Sequence, residues 1–336
     1  SWSSSDTSVA TVDKNGLVTA LQSGKATITA SVGTLTATCE IDVVIAAGEN
    51  DFLVNESGVV TGFIGVDASE LVIPSEIDGK TVTGIVASVF KNNRDITKVT
   101  LPESVKSIGE GAFAGCSSLT EINLENVTSI GKNAFDQCRA LKSVTLGEGL
   151  TVVPESAFTS CAALTSVTLP STLQEIGKNA FALCAFTSIE LPEGLTTIRY
   201  GAFRGTPLAS LHLPASLEKL GDSYIGDVFE IPGSQAADKS LENITIDEKH
   251  PCWTSVDGML YSKDLSEIVF CPRGRKTAKV LDSVTTIGRY AFFMCFDLTK
   301  VELPAGLKVV SEQAFHYCEA LVDCVLPAGL ERVENS

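Results

Sequence analysis

The sequence predicts a mainly β repeat solenoid, a right-handed stack of short coils, and three observations lead there. The segment Ala-Phe-x-x-Cys recurs at Phe113/Cys116, Phe135/Cys138, Phe158/Cys161, Phe181/Cys184, Phe292/Cys295 and Phe315/Cys318. Within each run the copies stand 22 or 23 residues apart, as from Phe113 to Phe135 and from Phe135 to Phe158. A strand-like frame, Leu-x-x-[Val/Ile/Leu]-x-Leu, travels with it over Leu119 to Leu124, Leu141 to Leu146, Leu164 to Leu169, Leu208 to Leu213 and Leu298 to Leu303. Finally, the apolar content is 44%. One unit cannot bury its own Leu, Ile and Phe positions, whereas stacked units share a continuous core.

Taken in chain order, residues 1–46 alternate apolar and polar residues in Ala26 to Ala30 and Ala37 to Val43, the period-two pattern of half-buried strands. Residues 47–51, with Glu49-Asn50-Asp51, read as a linker. The solenoid is expected over 52–336, opened by a capping hairpin over 52–84. From about Ile85 onward there is room for roughly ten or eleven coils, on the order of 50 Å of stack at the spacing of neighbouring strands. In each coil the last Leu of the strand is often followed by Pro, as at Pro102, Pro170 and Pro214, which suits a strand end better than a ladder position. A second apolar pair follows, as in Leu173-Gln174-Glu175-Ile176-Gly177, and Ala-Phe-x-x-Cys then forms a short helical or irregular corner. Phe90 and Phe203 lie one period outside the first run, with Asn93 and Thr206 at the Cys place. The recurring cysteines therefore read as small buried thiols on an inward ladder, needing neither a disulfide nor a metal.

Between Phe203 and Phe292 the frame is lost, and an irregular insertion is expected at about 222–283. Its Asp257-Gly258 is a hairpin turn signal between two short strands. Cys252 and Cys271 stand off the ladder and can face each other there as thiols or as a disulfide. At the other end, Leu330-Glu331-Arg332-Val333 opens a coil that stops short of its Ala-Phe, so the natural protein is expected to continue.

The frame Leu-Pro-x-x-[Leu/Val]-x-x-Ile-Gly-x-x-Ala-Phe-x-x-Cys-x-x-Leu resembles the BspA-type leucine-rich repeats of bacterial surface proteins over about 52–336. Trp2-Ser3-Ser4-Ser5-Asp6, Val9-Ala10-Thr11-Val12-Asp13 and Asn15-Gly16-Leu17-Val18-Thr19-Ala20 resemble the later part of a bacterial Ig-like domain of group 2. In that family about two strands precede this string, so an incomplete domain is expected, packed on the solenoid or showing a bare sheet edge. The resemblance implies an exported, extracellular or surface-associated protein that binds or adheres to a host or neighbouring-cell protein. An alternative is a glycan-binding or scaffolding module of a larger surface assembly.

Charge excludes some partners. With 25 Lys and Arg against 41 Asp and Glu, the formal charge of −16 repels phosphate backbones and anionic lipid, so no nucleic acid is expected. No apolar stretch approaches the length needed to cross a bilayer, so no membrane insertion is expected in this segment. Ser1-Trp2-Ser3 lacks the pattern of an export signal, and any signal or anchor is expected outside the segment. The three histidines, His212, His250 and His316, share no metal-ligand spacing, and no nucleophile elbow, phosphate loop or zinc motif is present. No enzyme, metal or cofactor is expected.

Repeat proteins bind through positions the core leaves free. The outward strand positions, such as Thr97, Thr120, Asn123, Thr165 and Thr168, make a hydroxyl-rich sheet that suits a ligand or simply water. The coil around Phe292 is different. Where other coils carry Gly, Asn, Ala, Asp, Thr, Ser or Arg, it places Tyr290, Phe293, Met294 and Phe296, and the next coil adds His316 and Tyr317. Such rings mark either a contact surface or a floor for the preceding hairpin. Arg273-Gly274-Arg275-Lys276 is the basic cluster beside them, suited to an acidic partner or simply to a solvated loop. Tyr290, Phe293, Phe296, His316, Tyr317, Arg273 and Arg275 are thus the candidate partner-binding residues.

Overall fold

The computed structural model describes residues 1–22, 24–43, 48–65, 69–229 and 240–335. Parts of the expected linker, opening hairpin and irregular stretch, namely residues 47, 66–68 and 230–239, lie outside the described residues.

The chain winds through about 11 turns with almost no helix. Most coils give two short strands rather than one. The first falls in the Leu-x-x-Val-x-Leu frame, as in Lys98–Thr100, Glu121–Ile122, Ser143–Thr145 and Ser166–Thr168. The second is the apolar pair before Gly, as in Ser107–Ile108, Ser129–Ile130, Glu175–Ile176 and Thr197–Ile198. Each strand pairs in parallel with its equivalent one coil away in a fixed register, Val99 against Ile122 and Ile108 against Ile130. The two sets of strands thereby form two walls around one core.

The Ala-Phe-x-x-Cys corners are turns, not helices, and they form a third bonded face. Phe135 N donates to Ala157 O at 2.8 Å in the next coil, and Phe158 N to Ala180 O at 2.8 Å. To make this turn the residues two before and two after each Phe adopt left-handed backbone. Gly111 and Gly115 flank Phe113, Asn133 and Gln137 flank Phe135, and Ser156 and Ser160 flank Phe158. Glycine, amide and small hydroxyl residues tolerate that conformation best. Inside the corner the phenyl rings stack coil upon coil: Phe90, Phe113, Phe135 and Phe158 lie 5.0, 5.5 and 5.1 Å apart and within 11° of parallel.

The ladder cysteines are free, and all but the half-buried Cys318 are buried. All but Cys295 donate their Sγ–H to the Phe carbonyl of the preceding coil, Cys138 to Phe113 at 3.2 Å and Cys161 to Phe135 at 3.2 Å. Burial pushes the Cys116 and Cys184 thiols up to about 12, so the nucleophilic thiolate is absent at physiological pH. Cys252 and Cys271 are also free; Cys252 is exposed while Cys271 is buried and offers its carbonyl to Cys295 Sγ at 3.8 Å.

The stack is interrupted once. One core runs from Phe52 to Phe270 and a second from Met259 to Ala314. Between them stands an antiparallel meander, Trp253–Val256, Met259–Ser262 and Glu267–Phe270, turning at Asp257-Gly258. Within its middle strand Leu260 joins the first core while Met259 and Tyr261 join the second. The last strand then pairs in parallel with Thr286–Ile287, and regular coils resume.

At the other end, residues 1–43 form the antiparallel sheet Trp2–Ser4, Gly24–Val32 and Leu35–Val43 plus the hairpin Ala10–Val12 and Val18–Ala20. Their small core, Val9, Ala10, Ala26 and Val43, is separate from the solenoid's. Leu35–Val43 is exposed along nearly its whole length, a bare sheet edge.

Coil-to-coil contact gives a graded prediction. A Cβ on Gly131 would lie 2.4 Å from Glu110 N and 2.6 Å from Gly109 C, both backbone atoms of the preceding coil. On Gly111 it would meet nothing closer than 3.5 Å, so the cost there is left-handed strain alone. Gly111→Ala should cost about 1 kcal/mol, and Gly131→Ala clearly more, read by urea denaturation. Thiol labelling of the native protein should reach the exposed Cys39 and Cys252 and spare Cys116, Cys138, Cys161 and Cys184 until the chain unfolds.

Candidate functional site

The buried polar or charged side chains among the described residues are Thr206, Asp227, His250 and Arg273, and the last three lie where the two cores meet. Asp227 belongs to the short turn Ile225–Phe229, whose Val228-Phe229 takes the Ala-Phe place: Phe203 N donates to Val228 O at 3.1 Å. Its carboxylate accepts the backbone N–H groups of Asp222, Ser223 and Tyr224 at 3.0, 2.7 and 3.4 Å. Burial raises its pKa, and those three donors pull it back. The result is a fixed loop that carries Tyr224 outward.

Tyr224 begins a cluster of rings across the seam. It lies 4.6 Å from Tyr290 and 5.3 Å from Phe293, and Tyr290 lies 5.3 Å from Phe293, edge to face at 79°. Phe293 continues to His316 at 5.8 Å and Tyr317 at 6.0 Å. The Arg289 guanidinium sits 4.8 Å over the Tyr290 ring and pairs with Glu312 at 3.1 Å. Tyr290, Phe293 and His316 are half-buried and Tyr317 is exposed. Tyr290, Met294 and Tyr317 moreover occupy left-handed corner positions, with φ of 59°, 60° and 61°, where the first coils place Gly, Asn, Gln or Ser. Any residue with a Cβ pays about 1–2 kcal/mol of backbone energy there, and Gln137 and Leu183 pay it in other coils; what sets this corner apart is the rings of Tyr290 and Tyr317.

Three sequence-derived candidates change their reading. Phe296 is buried, packed 6.4 Å from Tyr317, and supports the cluster from below. Arg273 is not a solvated loop residue but 2% exposed. Arg275 is a clamp: its Nε donates to Glu242 O at 2.9 Å, its Nη1 pairs with Asp257 at 3.1 Å, and its Nη2 reaches Asp257 O. It ties the hairpin turn to the strand Asn243–Ile246. The hydroxyl-rich strands are also committed in part, since Thr97 Oγ1 donates to Ser69 O at 2.9 Å and Thr120 Oγ1 to Thr97 O at 2.8 Å, while the Asn123 amide brackets Leu101 at 2.7 and 2.9 Å. His250 holds Leu217 O at 2.8 Å through Nε2 and accepts Trp253 N–H at 3.0 Å on Nδ1, leaving neither nitrogen to a metal. Tyr224 is absent from the sequence-derived set. Val228-Phe229, a variant Ala-Phe 26 residues after Phe203, is the signal that a coil with an enlarged corner lies here.

A solenoid whose frame is spent on its core and whose unusual residues gather on one corner is a scaffold for interaction. BspA-type leucine-rich-repeat models match residues 83–209, 151–273 and 263–336, and the chain belongs to that family. Residues 1–41 match the bacterial Ig-like domain of group 2. Among solved structures, a leucine-rich cell surface protein of Faecalibacterium prausnitzii is similar at 22% identity, with 87% of each chain covered and a TM-score of 0.60. The pneumococcal vaccine antigen PcpA is 23% identical over 83% of this chain and 68% of that one, with a TM-score of 0.48. A leucine-rich-repeat protein of Bacteroides ovatus is 21% identical over 91% and 81%, with a TM-score of 0.47. No curated protein sequence matches the chain. No helix among the described residues is long and apolar enough to cross a membrane.

Because Asp227 fixes the loop that presents Tyr224, Asp227→Ala should destabilise the protein by roughly 2–3 kcal/mol, the loss of three charge-assisted bonds less the relief of burying a carboxylate. Asp227→Asn should lose less; the midpoint of chemical denaturation reads both.

Proposed function

We propose that this chain is a non-catalytic binding protein of the bacterial cell surface that docks a protein partner on the corner formed by Tyr290, Phe293, His316 and Tyr317, buttressed by Phe296 and Tyr224. The observation that carries this reading is the presence of bulky rings at left-handed corner positions. Nothing in the coil frame calls for them, since Gly, Asn and Ser make the same turn in other coils, Gly at lower backbone cost. Surface location is supported by family membership and by the description of the Faecalibacterium prausnitzii protein as a cell surface protein.

The ring geometry favours protein over sugar. A sugar-binding platform presents flat exposed rings, whereas Tyr290 and Phe293 meet at 79°, Phe293 and Tyr317 at 65°, and Phe296 is buried. Interlocked rings with a polar rim of Arg289 and Glu312 match the core and edge of a protein interface.

The test is a binding screen against host matrix proteins and a glycan array, run with the parent and with Tyr290→Ala/Phe293→Ala. The parent is expected to bind a matrix protein, and the folded double variant to bind it at least about 30-fold more weakly, as loss of a paired hot spot implies. Undiminished binding by the variant, or binding confined to glycans, would overturn the reading.

A further inference from the structure

Arg273 lies behind this corner in an unusual state. The residue is 2% exposed, yet its Nε and Nη1 make no hydrogen bond, and its Nη2 reaches only the Tyr224 hydroxyl, at 3.4 Å. No carboxylate among the described residues stands within ion-pair distance of it. The nearby buried acid, Asp227, is already engaged by three backbone donors. Gly226 keeps the space around the guanidinium open: a Cβ there would lie 3.1 Å from Arg273 Nη2, 2.9 Å from Tyr224 Cε2 and 3.2 Å from Phe270 Cε2. An arginine stays charged even when buried, and a buried charge without a partner is among the costliest arrangements in a protein. Of the other buried polar groups at the seam, Asp227 is satisfied by the backbone and His250 by Leu217, Cys252 and Trp253, while the neutral Tyr261 hydroxyl has no partner. Arg273 is the charged group at the seam that keeps donors in reserve, and the hydroxyl it reaches belongs to the ring that opens the aromatic cluster.

We infer that Arg273 is the seat for a carboxylate of the docked partner, an acidic side chain or a chain terminus, admitted when the Tyr224 ring swings aside. The inference rests on the aromatic corner being the docking surface and adds the partner's chemistry. Rings take the apolar part of the partner, and the guanidinium behind them takes its charge. An acidic group is also what this surface otherwise repels, since the chain carries a formal charge of −16. A buried positive seat therefore converts an unfavourable approach into a selective one.

Thermal unfolding in sodium acetate against sodium chloride at equal ionic strength tests the seat without the partner. The parent should gain about 2–3 °C at saturating acetate beyond whatever Arg273→Met gains. Arg273→Met should unfold in chloride no earlier than the parent, because an apolar side chain removes an unmatched charge. Equal acetate responses in the two proteins would overturn the inference, as would a fall of several degrees in Arg273→Met, which would show the guanidinium matched within the chain. The screen above separates the two readings. Arg273→Met binding a captured matrix protein as well as the parent does would overturn the seat and leave the corner. An acetate response in a protein whose Tyr290→Ala/Phe293→Ala form binds undiminished would overturn the corner and leave the seat.

Discussion

The rest of the structure depends on the close, repeated approach of one coil's backbone to the next. Ring centroids about 5 Å apart in the Phe stack match the spacing of hydrogen-bonded strands, so core and backbone repeat in the same step. That step explains why the turn tolerates Gly131 but not a larger residue, why the corner adopts left-handed backbone on both sides of Phe, and why a thiol fits the ladder. At this place Sγ–H donates to the carbonyl of the preceding coil, and Thr206, which stands there in another coil, is likewise buried and donates to Phe203 O. Residues that look like a cysteine framework are thus hydrogen-bonded filler in an apolar wall.

Because the frame is so fully committed, departures from it carry the information. The repeat breaks at the meander of residues 253–270, where two cores abut, and buried Asp227, His250 and Arg273 gather there rather than being spread along the stack. A joint between two stacks is where a solenoid can afford irregular chain, and the aromatic corner lies against it. Stability within each stack is shared between neighbouring coils, so a corner can carry strained tyrosines without unravelling the whole.

Much of this was legible in the sequence. The Ala-Phe period, the strand frame and the Asp257-Gly258 hairpin are local patterns with a fixed spacing, and each appears where its residues predict. The second strand of each coil was not, because two residues such as Glu175–Ile176 are too short to show alternation. Residues 187–191, one period after the frame of Leu164 to Leu169, form no strand. Cys184 is followed by Phe186 at the place where Cys161 is followed by Leu164, one residue fewer, and the segment does not engage its neighbour's ladder. At the site, the rings of Tyr290, Phe293 and Tyr317 stood out because they replace non-aromatic residues. The roles of Arg273 and Arg275 did not, since a run of basic residues reads as surface until the chain that folds over it is known. Tyr224 could be placed only by recognising Val228-Phe229 as a disguised corner.

Thermal unfolding of Tyr317→Gly tests most directly whether the rings serve recognition rather than folding. Glycine suits the left-handed backbone at this position, and the residue it replaces is 48% exposed. If the ring is there for a partner, the melting temperature should equal or exceed that of the parent. A fall of several degrees would mean that the ring holds the coil together and that the corner is part of the scaffold rather than a docking surface.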